Sequence, residues 1–140
     1  MKKGGADEAR LQAVAELLIF FSEHLRTVTY TKGCTAAQWA ALRYFSSVNP
    51  TAATLVLFAK NHGTTKGTAS RTIARLEEKR LITRKPHHLD RRKQIIKLTA
   101  KGRKHMERDP VHKVAKIIAQ SGFEDLNDFT KKIVTLTRLR

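Results

Sequence analysis

The apolar residues of this chain keep a helical period almost throughout and break it once, and that break constrains the fold more than any other feature. Up to about Lys79 they recur at three- and four-residue intervals, the spacing of one helix face. After Leu81 the pattern alternates. Ile82-Thr83-Arg84-Lys85-Pro86 and Gln94-Ile95-Ile96-Lys97-Leu98 read as two short strands, with residues 87–93 as the loop of a hairpin. Pro86 has no N–H to give a ladder and belongs at a strand end or on an edge. Helical spacing then returns at Thr99. The expectation is a mainly α protein with one small β-hairpin.

The helical stretches divide at recognisable punctuation. Residues 9–29 place Leu11, Val14, Leu17, Leu18, Phe21, Leu25 and Val28 on one stripe, and Lys32-Gly33 ends it. Thr35-Ala36-Ala37-Gln38 has capping-box form. The helix behind it carries Trp39, Leu42 and Phe45 to about Ser47, where Asn49-Pro50 stops it. A short helix over about 54–61 ends at Gly63, a left-handed C-cap residue. Thr64 or Thr65 then caps a helix to about Lys79 that buries Ala69, Ile73 and Leu76. Two amphipathic helices around a glycine turn are a helix-turn-helix, a corner that many helical cores also contain. Further on, helices are expected from Thr99 to about Arg108, over 111–120 and over 123–138. Asp109-Pro110 reads there as an N-cap followed by a first helical residue.

Charge says which part of the chain meets a partner. The formal net charge is +16 over 140 residues, with 41% hydrophobic residues, enough for a core. Between Lys60 and Arg108 there are sixteen Lys or Arg against four acids, so that window holds +12 and the rest of the chain +4. This is an electrostatic footprint for a polyanion; the plain alternative is a solvated basic face that keeps the chain soluble. A membrane surface would call for a basic amphipathic helix with a large apolar face. Here the charge spreads over several short elements. No apolar run approaches the about 18 residues of a membrane span, and Asp7-Glu8 sits where a secretory signal would be apolar. One cysteine makes no internal disulfide, and no cluster has zinc-ligand spacing. A soluble, cytoplasmic protein with no cofactor and no metal is expected.

Helix, turn, helix and basic hairpin together make a winged helix-turn-helix. Gln38-Trp39-Ala40-Ala41-Leu42, Gly63 followed by Thr68-Ala69-Ser70-Arg71 and Leu76-Glu77, then Asp90-Arg91-Arg92 and Leu98-Thr99-Ala100-Lys101-Gly102 resemble the MarR family of bacterial transcriptional regulators. The resemblance covers about residues 35–105, and its most specific part is D-x-R followed by L-T-x-x-G. The physics agrees with it. The start of the 65–79 helix turns backbone N–H groups outward, where a phosphate could sit, and such a helix fits the major groove. Thr65, Lys66, Thr68, Ser70 and Arg71 form the groove-facing set, with Arg75 reaching a phosphate. The resemblance implies that Arg92 enters the minor groove while Asp90 holds its guanidinium; Asp90 as a turn residue bonding its own backbone is the compatible plain role. Lys85, Arg91 and Lys93 are phosphate contacts or solvated charge. Gly67 either allows close backbone approach to DNA or reflects weak constraint.

The organisation expected is residues 1–33 as an N-terminal dimerisation helix, 34–105 as the DNA-binding core and 106–140 as C-terminal dimerisation helices. The terminal stripes exceed what a small winged domain needs to cover itself. The resemblance implies a twofold homodimer reading a pseudo-palindrome in double-stranded DNA, nucleoid-associated in a bacterial cytoplasm, most often as a repressor. Many relatives bind a small aromatic acid as effector, and Arg43, Tyr44, Trp39 and His24 are equally pocket-lining or ordinary core and rim residues. Cys34, before a helix N-terminus, is a buried small hydrophobe or a redox thiol. His24, His62, His87, His88, His105 and His112 show no ligand spacing. No paired carboxylates, activated nucleophile or phosphate-cradling loop points to an enzyme. The rival reading is a sequence-tolerant architectural DNA binder, favoured by the high charge.

Overall fold

The computed structural model describes residues 3–138, and the side chains of residues 5–27 and 30–138. The described residues form seven helices and one two-stranded sheet: α1 (Lys3–Thr29), α2 (Ala36–Ser47), α3 (Leu55–Asn61), α4 (Lys66–Glu78), β1 (Ile82–Pro86), β2 (Gln94–Leu98), α5 (Ala100–Met106), α6 (Val111–Gln120) and α7 (Leu126–Thr137). They divide into two compact units, Met1–Asp109 and Pro110–Arg140. No helix among the described residues is long and apolar enough to cross a membrane.

In the first unit, local chemistry sets each boundary. The capping box at Thr35 is complete: its hydroxyl accepts from the Gln38 N–H at 3.2 Å, and the Gln38 Oε1 accepts from the Thr35 N–H at 3.2 Å. Thr54 and Thr99 cap α3 and α5 by the hydroxyl bond alone, accepting from the Leu57 and Gly102 N–H groups. Thr65, not Thr64, caps α4. Gly63 takes φ +59, closing the α3–α4 turn in the left-handed region glycine tolerates. Arg80 takes φ +60 at the end of α4, where the Leu81 N–H reaches back to the Leu76 carbonyl at 3.0 Å.

The hairpin is antiparallel, with Ile82 opposite Leu98 and Pro86 opposite Gln94. Pro86 sits at the strand end, where no ladder donor is needed. The Ile96 N–H donates to the Ala53 carbonyl at 2.8 Å, so the segment before α3 covers part of the other edge of β2. The core gathers Trp39, Ala41, Leu42 and Phe45 of α2, Phe58 of α3, Ala69, Ile73 and Leu76 of α4, and Leu81, Ile82, Ile95, Ile96 and Leu98 of the hairpin. The α2 and α4 residues that the periodicity assigned are among them, whereas Ile95 and Ile96, adjacent in β2, are both buried and break the alternation expected of the strand.

The L-T-x-x-G motif has a mechanical meaning. Thr99 donates its N–H to the Leu81 carbonyl at 3.0 Å, and its hydroxyl caps α5 by accepting from the Gly102 N–H at 3.0 Å. Gly102 therefore lies hard against the chain entering the hairpin: a Cβ there would meet the Leu81 carbonyl oxygen at 2.0 Å.

Two expectations are corrected. Asp109 does not cap α6. The N-cap position falls to Pro110, with no side-chain cap bond. The Asp109 carboxylate is instead buried, 1% exposed, and Arg43 of α2 donates to its Oδ1 at 2.7 Å. A buried carboxylate gains more from a guanidinium than from helix N–H groups that water would otherwise serve. The single stripe expected on the first helix also understates it. α1 begins at Lys3, and Leu17, Ile19 and Phe20 are as exposed as Leu11. Val28 lies outside the described side chains.

In the second unit, Asp125 caps α7 by accepting from the Asp128 N–H at 2.9 Å, so that helix starts at Leu126 rather than 123. Phe123 stacks near Phe129 with centroids 4.2 Å apart. Neither α6 nor α7 has a buried residue, and Val111, Ile117, Leu126, Ile133, Val134 and Leu136 stay exposed.

Candidate nucleic-acid interface

α4 presents two unlike faces. Ala69, Ile73 and Leu76 are fully buried, while Lys66, Thr68, Arg71 and Arg75 are exposed and Ser70 is half-buried. The Thr65 hydroxyl accepts from the Thr68 N–H at 3.1 Å and donates to the Thr68 hydroxyl at 3.0 Å; Arg71 Nη2 lies 3.4 Å from that same oxygen. The sequence-selected groove-facing set thus sits on the first two turns of one helix. Its chemistry there is hydroxyl, ammonium and guanidinium, donors suited to base edges and phosphates. Arg75 differs from the others, because Glu78 accepts from its Nη1 at 2.9 Å in an exposed pair. Such a pair is worth at most about 1 kcal/mol and opens readily for a phosphate.

Gly67 has open space beside it: the nearest atom a Cβ would meet is the Thr65 hydroxyl oxygen, at 4.0 Å. Nothing in this fold demands glycine there. Gly67→Ala should raise stability by about 0.5–1 kcal/mol, read as a higher melting temperature. If DNA needs that backbone close, the same substitution weakens duplex binding although the protein is more stable.

The wing is built as a small closed loop. The His87 N–H donates to the Lys93 carbonyl at 2.8 Å, and the Lys93 N–H to the Asp90 carbonyl at 2.9 Å. Asp90 Oδ1 accepts from the Arg92 backbone N–H at 3.0 Å. That is an Asx turn, the geometry a carboxylate reaches two residues along its own chain. Asp90 thereby positions Arg92 through the backbone rather than by a bond to its guanidinium. Lys85, Arg91, Arg92 and Lys93 are all exposed. At the base of the hairpin Arg84 Nε donates to Glu77 Oε2 at 2.9 Å, both half-buried, which ties β1 to α4. That contact was not singled out from the sequence, since seven residues and a change of element separate its partners.

Cys34 is buried, 1% exposed. Its Sγ lies 3.5 Å from His105 Nε2 and 4.0 Å from Lys79 Nζ. Burial pushes its thiol up, and the Lys79 charge only partly offsets that, so the group is neutral, the weaker nucleophile. Lys79 also donates to Gln38 Oε1 at 2.8 Å and to the Gly33 carbonyl. His105 stacks on Trp39 at 4.8 Å and 8°. Burial, then the charges of Arg108, Lys79 and Lys101, hold its pKa below the usual histidine range. A depressed histidine binds its proton more readily when unfolded, so stability falls as pH drops through about 6.5 toward the folded value. His105→Phe keeps the stack without the proton. Melting curves from pH 7.5 down to pH 5.5 should therefore fall less steeply for the variant than for the wild type.

Arg43, Tyr44 and Trp39 are each engaged within the first unit. Arg43 pairs with Asp109, Tyr44 donates to the Ala52 carbonyl at 2.9 Å, and Trp39 is wholly buried. His24 stacks loosely on Phe20, with centroids 6.5 Å apart. A concavity of about 520 Å³ does lie between α1 and α2, lined by Glu23, Arg26, Thr27, Tyr30 and residues 35–37. Among the described residues no group of three or more His, Cys, Asp or Glu side chains could hold a metal ion.

Comparison with known proteins agrees with this geometry. The MarR family model matches residues 32–93, and no curated protein matches the sequence at a significant level. Among solved structures, the MepR–DNA complex of S. aureus is similar over 88% of this chain and 92% of its own, at 23% identity and a TM-score of 0.74. The transcriptional regulator BldR of Sulfolobus solfataricus aligns over 98% of both chains, at 16% identity and a TM-score of 0.72. A probable transcriptional regulator of Pseudomonas aeruginosa covers 88% of this chain and 96% of its own, at 18% identity and a TM-score of 0.74. The part of this chain that is similar to the MarR family model, residues 32–93, spans the helix-turn-helix and the hairpin loop described above, and the fold it shares with these structures is the winged helix-turn-helix.

Proposed function

We propose that the protein is a dimeric, sequence-specific regulator of transcription that binds a pseudo-palindromic operator in double-stranded DNA. The observation that carries this reading is the concentration of basic and hydroxyl side chains on the exposed face of α4 and on the wing, both fixed to one core. α4 enters the major groove with Thr65, Lys66, Thr68, Ser70 and Arg71, and Arg92 enters the flanking minor groove. Arg75, Lys85, Arg91 and Lys93 meet phosphates, which set register rather than sequence.

A second copy of the chain accounts for the apolar faces. Leu11, Val14, Leu17, Ile19 and Phe20 of α1, and Leu126, Val134 and Leu136 of α7, are exposed to a degree that a monomer in water would not favour. Two recognition helices then stand about one DNA turn apart. Operator occupancy blocks polymerase, and a small aromatic acid in the concavity between α1 and α2 changes the spacing of the two helices. In the cell such a protein is found on the nucleoid.

Selection of duplexes from a random pool, followed by titration at physiological salt, tests the reading. The regulator binds its selected palindrome about a thousandfold or more tighter than random duplex, with one dimer per site. A ratio near one favours the architectural alternative, for which the +16 charge is the argument.

A further inference from the structure

The wing carries one residue that electrostatics does not explain. Leu89 is 81% exposed at the crown of the 87–93 loop. Between Leu57 and Val111 it is the one exposed large apolar side chain among the described residues, and that stretch holds most of the net charge. A single exposed leucine is ordinary on a protein surface. This one is not loosely placed: its N–H donates to His87 Nδ1 at 3.2 Å, and beyond it Asp90 fixes both Arg92 and Lys93 through their backbone N–H groups. The rings of His87 and His88 stack at 4.6 Å beside it. The loop therefore holds an apolar side chain outward between two pinned turns, next to Arg91 and Arg92.

An apolar tip flanked by cations is the arrangement with which proteins enter a minor groove and part a base step, the charges docking on the phosphates of both strands while the side chain fills the opened gap. We propose that Leu89 is a minor-groove wedge, making the wing select for an easily unstacked pyrimidine–purine step beside each half-site. This rests on the DNA-binding reading above and adds to it a specificity determinant that makes no hydrogen bond to a base.

The test uses the full-length protein and the duplex recovered by selection, labelled with 2-aminopurine at successive steps across each flank. Wild-type protein should brighten the probe at one step per half-site. Leu89→Ala and Leu89→Ser should abolish that signal and weaken binding about tenfold, whereas Leu89→Met should keep both. The salt dependence should stay unchanged, because no phosphate contact is lost. Binding by Leu89→Ala within twofold of wild type, or a wild-type complex with no brightened step, overturns the wedge while leaving DNA binding intact. A wild-type protein that binds no duplex overturns both.

Discussion

Gly102→Ala should destabilise this protein strongly, where the same substitution at Gly67 should not. The new Cβ would lie 2.0 Å from the Leu81 carbonyl oxygen, 3.0 Å from its carbonyl carbon and 3.4 Å from its Cα. All three are backbone atoms, so no side-chain rotation relieves the clash. Relief requires α5 to lift away from the chain entering β1. That lift breaks the bond from the Thr99 N–H to the Leu81 carbonyl at 3.0 Å and disturbs the Thr99 hydroxyl, which bonds the Arg80 carbonyl at 2.7 Å. Buried Leu81 and Leu98 would lose packing with it. Overpacking of this kind costs about 1–3 kcal/mol, and the lost hydrogen bonds about 1 kcal/mol each. The melting temperature should fall by about 10 °C. Gly67→Ala, at a position with open space, is the matched control and should not fall. A Gly102→Ala protein melting within about 2 °C of the wild type would show that α5 yields at no cost, contrary to the close approach described.

Arg92→Ala should weaken binding to the selected duplex by about thirtyfold, corresponding to about 2 kcal/mol, with the dimer and the melting temperature unchanged. The guanidinium is exposed, and Asp90 engages the Arg92 backbone N–H, so the loop keeps its shape when the side chain is truncated. Asp90→Ala should also weaken binding, by a different route: it removes the acceptor that orients the Arg92 backbone while leaving the cation in place. Gel-shift or anisotropy titrations of both variants, alongside size-exclusion chromatography, check the pair. Unchanged binding by Arg92→Ala would remove the wing from the interface.

Legibility of the fold in the sequence followed the range of the interactions. The capping box at Thr35, the Gly63 turn and the buried stripe of α4 are local and stood in the sequence as written, since a cap or a helix face is decided within four residues. The bounds of the two strands were legible for the same reason, with only seven residues between them. Asp109 departs from its expected role because Asp-Pro is a good helix start by local rules, whereas its partner Arg43 lies 66 residues away. The first helix was underestimated because a stripe reading leaves out Ile19 and Phe20, which fall off the stripe and are nonetheless exposed. At the candidate interface, residue types and spacing marked α4 and the basic wing. They did not show that Arg75 is held by Glu78, which depends on side-chain geometry rather than composition, whereas the backbone role of Asp90 was already one of its two readings. Leu89 is not marked by type or spacing, because what sets it apart from the other apolar residues of the basic stretch is its exposure at the loop crown.

The contacts of Lys79 make α4 a rod pinned at its far end. The ammonium group is held by the Gly33 carbonyl and Gln38 Oε1 at the junction of α1 and α2, and the Lys79 carbonyl accepts from Lys101 of α5 at 3.0 Å. Thirteen residues span about 20 Å, so the exposed first turn lies nearly the length of the helix from this pivot. Any rearrangement of the α1–α2 junction then reaches the Thr65 end as a swing rather than a slide. A small angle at Lys79 becomes ångströms of travel where Lys66, Thr68 and Arg71 stand, and because Ala69 and Ile73 are buried on the same helix the core has to repack to allow it.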